Sequence, residues 1–144
     1  MDINERLAIE AECTRLVNAF CWHLDAFDYE DAIALFVPDC TVVRVNEVYE
    51  GHEGARKVLN SRAPDRRTCH LLNNMVVDVI DRDNAQSKAH CTIFGHRGQL
   101  KEDEPAPLGV PDSVGRFEAR FRRTDAGWRM TKLHIIPNFS KPAP

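Results

Sequence analysis

The spacing of apolar residues changes once along this chain, near Arg67, and that change constrains the fold more than any other feature. Before it, Ile9, Cys13, Leu16, Val17, Phe20, Leu24 and Phe27 recur mostly in steps of three and four. No Gly or Pro interrupts them, so the spacing predicts one long helix from Asn4 to about Phe27. After it, Phe117, Ala119 and Phe121 alternate with Arg116, Glu118, Arg120 and Arg122, the pattern of a strand with one face buried. The chain therefore segregates helix from sheet, which is the α+β pattern.

The remaining elements fit between these two anchors. Asp28 is placed to cap a second, short helix, with Asp31 three residues on in a box-like position. That helix passes Ile33 and Phe36 and stops before Pro38. The β-branched stretch from Cys40 to Val45 reads as a strand. Gly51 opens a third helix that reaches about Arg62, with Pro64 just beyond it. Four strands follow, over Thr68–Val79, Lys88–His96, Val114–Arg123 and Trp128–Ile136. A tail over 137–144 reads as irregular, and Gln99–Asp112 is a loop of a length often used for lids or binding loops. The expected architecture is a mostly antiparallel, curved sheet wrapped around the long N-terminal helix, with an apolar pocket between them.

Composition narrows the function classes. At 144 residues the chain is expected to form one domain, 1–144, with a core that needs no metal or disulfide staple. Formal net charge is −3, which weighs against a nucleic-acid binder. No apolar run approaches the ~20 residues of a membrane helix. The first residues lack a basic segment followed by an apolar one, so no signal peptide is expected. The five cysteines are odd in number, contain no C-x-x-C pair and sit among apolar neighbours. They read as small buried hydrophobes in a reducing cytoplasm.

None of the common phosphate, dinucleotide, zinc-protease or serine-hydrolase motifs is present. The histidines are the conspicuous feature. His90, Thr92, Phe94 and His96 share one face of a strand, and Thr68, His70, Leu72 and Asn74 share one face of its neighbour. His70 and His96 are thus expected on one concave surface. Asp25, beside the apolar stripe of the first helix, needs a partner there, and an imidazole N–H suits it. A metal site from His70, His90, His96 and His134 has no diagnostic spacing, so no metal is expected.

At these residues the chain resembles the SnoaL-like branch of the NTF2-like superfamily, the branch that includes scytalone dehydratase. The likeness spans about residues 5 to 137 and rests on four stretches. Leu24-Asp25 through Pro38-Asp39 is similar to the family's long helix, Asp, short helix and first-strand start. Tyr49-Glu50-Gly51-His52-Glu53-Gly54-Ala55 is similar to the start of its third helix. Thr68-Cys69-His70 with Asn74 resembles its T-x-H-x-x-x-N strand, and Asp125-Ala126-Gly127-Trp128 its final hairpin.

The resemblance implies an NTF2-like cone and a homodimer or homotrimer. Carried over position by position, it implies Asp25, His70 and His96 as catalytic residues, with His90 upstream of His96. The superfamily's hexachlorocyclohexane dehydrochlorinase uses an Asp–His dyad that matches Asp25 and His70. Leu24 stands where scytalone dehydratase has a Tyr, and Phe20 near where the dehydrochlorinase has a Lys, so neither scytalone nor a halide is the expected substrate.

The expected activity is that of a cofactor-free dehydratase-type lyase acting on a small hydrophobic, cyclic or aromatic carbonyl compound. His70 takes a proton next to the carbonyl, Asp25 orients His70, and His96 protonates the departing hydroxyl. Asn73 or Asn74 holds the substrate; Trp22, Met75, His90, Phe94, Phe117 and Trp128 are candidate lining residues. Isomerase or polyketide-cyclase chemistry would begin with the same proton abstraction. A non-catalytic binding module, like the small subunits of ring-hydroxylating dioxygenases, is the other reading.

Overall fold

The computed structural model describes residues 1–143. Helix α1 spans Ile3–Ala26, α2 Tyr29–Ala34 and α3 Gly51–Asn60. The strands are β1 Phe36–Arg44, β2 Glu47–Glu50, β3 Arg66–Val79, β4 Asn84–Arg97, β5 Ser113–Thr124 and β6 Gly127–Ser140. They form one six-stranded sheet in the order β2-β1-β6-β5-β4-β3. All neighbours are antiparallel except β1 and β6, which run parallel. Among the described residues, no helix is long and apolar enough to cross a membrane.

Helix α1 begins with a full capping box, in which Asp2 accepts from the Glu5 backbone and Glu5 accepts from that of Asp2. Its buried stripe is Ile9, Cys13, Leu16, Val17, Phe20, Cys21 and Leu24, the face set by the spacing in the sequence. The helix ends because Phe27 turns into the left-handed region (φ 61°), where the Asp28 N–H reaches back to the His23 carbonyl at 2.9 Å. Phe27 is therefore the cap and not the last residue of the stripe. The sheet curves around α1 and packs Phe117, Met130 and Leu133 into the same core. Register shifts in β1, β3 and β5 supply the bends.

Several expected boundaries move. Helix α2 stops at Ala34 and β1 starts at Phe36, because the Met130 N–H bonds the Leu35 carbonyl and draws the chain into the sheet. Pro38 is tolerated there because β1 shifts register between Phe36 and Thr41. Asp28 is the N-cap of α2 by position, but its side chain makes no capping bond. Strand β2 was not expected. Its turn uses Val45 at φ 58° in place of Gly, so nothing marks a hairpin.

Strand β4 starts earlier than expected, at Asn84, because the Asn84 side chain and N–H close the turn on Asp81. The tail over 137–144 is not wholly irregular: β6 continues to Ser140, and Pro144 lies outside the described residues. Pro137 faces Gly115 beside the β5 register shift. A Cβ on residue 115 would stand 2.6 Å from the Ile136 carbonyl oxygen, so only glycine admits this approach.

Four cysteines are buried as expected, but Cys69 is exposed, because it alternates with the inward-facing Thr68 and His70. Burial pushes the Cys13 thiol up to about 12 and that of Cys40 up to about 11, so neither supplies a thiolate near neutral pH.

Two substitutions test this packing. Leu133→Ala, at a fully buried site, is expected to cost about 2–5 kcal/mol in urea unfolding. Trp22→Ala removes a larger side chain, yet Trp22 is 76% exposed, so its effect should stay within about 0.5 kcal/mol.

Candidate active site

The last turn of α1 and the first half of β3 bring Asp25 and His70 together. His70 Nδ1 lies 2.6 Å from Asp25 Oδ1, with the His70 side chain 7% and the Asp25 side chain 19% exposed. Two further donors converge on the carboxylate. The His70 backbone N–H reaches Oδ2 at 2.9 Å, and the Thr68 hydroxyl donates to Oδ1 at 2.7 Å. Burial pushes the Asp25 carboxyl up, but the bonds from the His70 ring and backbone and from Thr68 outweigh it and hold it below its ordinary value. Asp25 is therefore an acceptor, and His70 Nδ1 must carry the proton it donates. That leaves Nε2 as the bare nitrogen of the neutral ring, and no protein hydrogen bond to it exists among the described residues.

Arg62 supports this pair from behind. One guanidinium nitrogen donates to the Thr68 hydroxyl at 2.6 Å and another to the Leu24 carbonyl at 2.6 Å. Its Cζ lies 5.6 Å from the Phe27 ring centre and 5.7 Å from that of Tyr29. The unpaired carbonyls at the C-terminus of α1 carry partial negative charge, and Asp25 adds to it. A cation at Arg62 offsets both. No sequence motif marks Arg62, since its partners are 38 and 6 residues away.

His70 faces a cavity of about 230 Å³ enclosed by α1, α3 and the concave face of the sheet. Phe20, Leu24, Phe36, Leu59 and Phe117 form its apolar floor, and Arg44, Arg62 and Arg66 also line it. Arg66 pairs with Asp112 at 3.2 Å. Gly95 makes room for that pair, since a Cβ there would lie 2.1 Å from Asp112 Oδ2. Asp112, at the end of the long β4–β5 connection, meets this rim through Arg66, whereas Ala106 to Val110 line the hollow that holds His96.

Strand register separates the other expected residues from this cavity. In the β3–β4 ladder His70 pairs with Ile93, while His96 pairs with Arg67. His96 therefore projects to the opposite face, where it lines a separate hollow with Phe94, Cys69 and Leu71. The expectation that His70 and His96 share one surface is not met. His90 has the same parity as His96 and is exposed. Asn74 adopts φ 52° at a register shift in β3, and both it and Asn73 face solvent. The Asn73 side-chain amide donates to the Leu71 carbonyl.

Trp22 lies on the exposed side of α1. Met75 and Trp128 pack in or against the core away from the cavity, and of the expected lining residues only Phe117 reaches it. His134 borders another outer hollow, with Lys132 and Glu118, so the four histidines weighed for a metal do not converge. One surface group, His23 with Asp28 and Asp31, has its possible ligand atoms close together, outside the cavity.

A model of the SnoaL-like domain matches residues 5–134. A candidate scytalone dehydratase from Novosphingobium aromaticivorans DSM 12444 is similar in structure, with a TM-score of 0.82 and 19% identity over 97% of this chain and 91% of that one. A type 2 hexachlorocyclohexane dehydrochlorinase superposes with a TM-score of 0.79 and 16% identity over 99% and 94% of the two chains. A protein of unknown function from Mycobacterium tuberculosis gives 0.78 and 17% over 96% and 76%. At these identities the likeness is one of fold. No curated protein matches the sequence.

The Asp25 bonds set an acid limit on stability. Because the folded carboxyl titrates below its ordinary value of 3.8, its contribution is present above that value and is lost as pH falls through the lower, folded one. Urea unfolding of wild type and Asp25→Asn should therefore differ near neutrality and converge as pH drops below about 3.8. An offset that stays constant with pH would contradict the bonding described.

Proposed function

Since the chain belongs to the SnoaL-like domain family, we propose that its cavity is the active site of a cofactor-free lyase of the dehydratase type. The observation that carries this is the 2.6 Å Asp25–His70 contact, which leaves His70 Nε2 bare toward an apolar cavity. A neutral imidazole held in one tautomer by a carboxylate is a general base near neutral pH. The superposing dehydrochlorinase and candidate scytalone dehydratase are named for eliminations, which supports the same class of reaction here.

In the proposed reaction His70 Nε2 removes a proton from the carbon next to the substrate carbonyl. The electron pair of that C–H bond forms the new C=C bond as the C–O bond to the hydroxyl breaks. Asp25 stabilises the imidazolium while it exists. With His96 on the opposite face of the sheet, the protonated His70 is itself the acid at hand, and it returns the proton to the departing hydroxyl, releasing water. One group serving as base and then acid requires both bonds to break on the same side of the substrate, so the elimination is syn.

Isomerisation is the second reading, and the same observation favours it. A single imidazole that takes a proton and returns it elsewhere on the substrate needs no second acid. The cavity, at about 230 Å³, lies below the roughly 300–1,000 Å³ of drug-sized sites, so a molecule of one or two rings is the substrate size.

The test is a panel of cyclic β-hydroxy carbonyl compounds incubated with the protein in deuterated water and followed by mass. Loss of one water supports the lyase, a rearranged product that keeps every heavy atom and gains one mass unit per deuterium taken up supports the isomerase, and His70→Gln should lower kcat/KM by about 10²–10⁴. If His70→Gln turns over as fast as wild type, His70 is not the base. A diastereomeric pair should lose water only in the isomer that presents the proton and hydroxyl on one side.

A further inference from the structure

The lining of the cavity is charged with one sign only. Three guanidiniums line it, those of Arg44, Arg62 and Arg66, and no carboxylate is among the lining residues. Two carboxylates at its edge are engaged: Asp25 holds His70 and Thr68, and Asp112 holds Arg66. Arg62 spends its donors on neutral oxygens, those of Leu24 and Thr68. Arg44 makes no ion pair among the described residues. Glu47, opposite it in the β1–β2 hairpin, instead accepts from the Tyr49 hydroxyl. The wall of the cavity thus offers three cations and no anion, with the carboxylates of Asp25, Asp112 and Glu47 set outside the lining.

We propose that this site takes a carboxylate: a hydrophobic ring compound whose anionic group sits at the mouth on Arg66 and Arg44 while its reacting carbon lies against His70. The proposal rests on the reading of His70 as the base and narrows the substrate class. Arg66 is held on one side only, by Asp112, and its other N–H groups are free for a second, bidentate acceptor. Arg66 and His70 stand four residues apart on the same face of β3, about 13 Å between their Cα positions at strand spacing. The long Arg side chain shortens that gap to the span of a small ring compound with a side group.

A monoanion also helps the chemistry. Protonating His70 adds a positive charge to a lining that already holds three guanidiniums, and Asp25 meets it on the Nδ1 side only. A bound carboxylate brings a negative charge to the cavity side and makes the imidazolium easier to form.

The test compares 2-naphthoate with naphthalene-2-carboxamide, matched in shape and different in charge. Affinity is measured by calorimetry, and the His70 ring signals are followed by NMR in the same titration. The expected result is that the carboxylate binds at least about tenfold more tightly, the margin of one charge-assisted hydrogen bond. That margin should shrink in Arg66→Gln, shrink in Arg44→Gln and fall with added salt. Arg44→Gln breaks no pair in the protein, so it separates loss of recognition from loss of the Asp112 contact.

Equal affinity for the two probes, or a preference unchanged in both variants, overturns the proposal. If the two then move the His70 signals alike, the base reading stands without it. Carboxylate-selective binding that leaves the His70 signals unmoved also overturns it, because the anion is then held away from the base.

Discussion

A carboxylate near the end of an apolar helix is the constraint from which the rest follows. Asp25 sits on the last turn of α1, beside Leu24 and close to a helix terminus that is already negative. Left alone there, it would cost more than the packing of that turn returns. It is satisfied by three donors, all from one short stretch of β3: the Thr68 hydroxyl, the His70 backbone and the His70 ring. Those bonds fix where α1 meets the sheet edge, and Arg62 locks the joint from behind through Leu24 and Thr68. The same bonds that make the carboxylate tolerable also choose the imidazole tautomer, so stability and chemistry come from one set of contacts.

Alternation along β3 and β4 decides which side chains see the cavity. Thr68 and His70 point in, while Cys69 and Leu71 point out. Parity within each strand was legible in the sequence, and the T-x-H spacing correctly groups Thr68 with His70. What a single strand cannot show is register. His70 and His96 each lie on a well-defined face, but the ladder pairs His96 with Arg67, an outward residue, and so the faces are opposite. Asn74 fails for a related reason: a register shift near Asn73 breaks the alternation that placed it with His70.

The helices were easier to read than the strand ends. Six of the seven stripe positions in α1 follow from spacing alone, Cys21 being the exception, and the opening of α3 follows from Gly51, which adopts φ 66°. The elements that escaped notice lack a local signal. Strand β2 has a turn without Gly, and the end of β6 runs through Pro137, which reads as a terminator until Gly115 is seen opposite it. Arg62 lacks a local signal as well, because its partners Leu24 and Thr68 belong to two other elements. The family resemblance at Leu24-Asp25 and Thr68-Cys69-His70 placed the pair that the structure brings together, and it misplaced the second histidine.

The tautomer of His70 is the most direct test, because the proposed chemistry needs Nε2 bare and Nδ1 protonated. Long-range proton–nitrogen NMR on the assigned His70 ring, at a pH where the ring is neutral, distinguishes the two nitrogens. A working pair gives a protonated Nδ1 and an unprotonated Nε2 in wild type, and a mixture of the two neutral forms in Asp25→Asn. A ring that carries its proton on Nε2 in wild type, or that is indifferent to the change at Asp25, would contradict the pair as the base of this site.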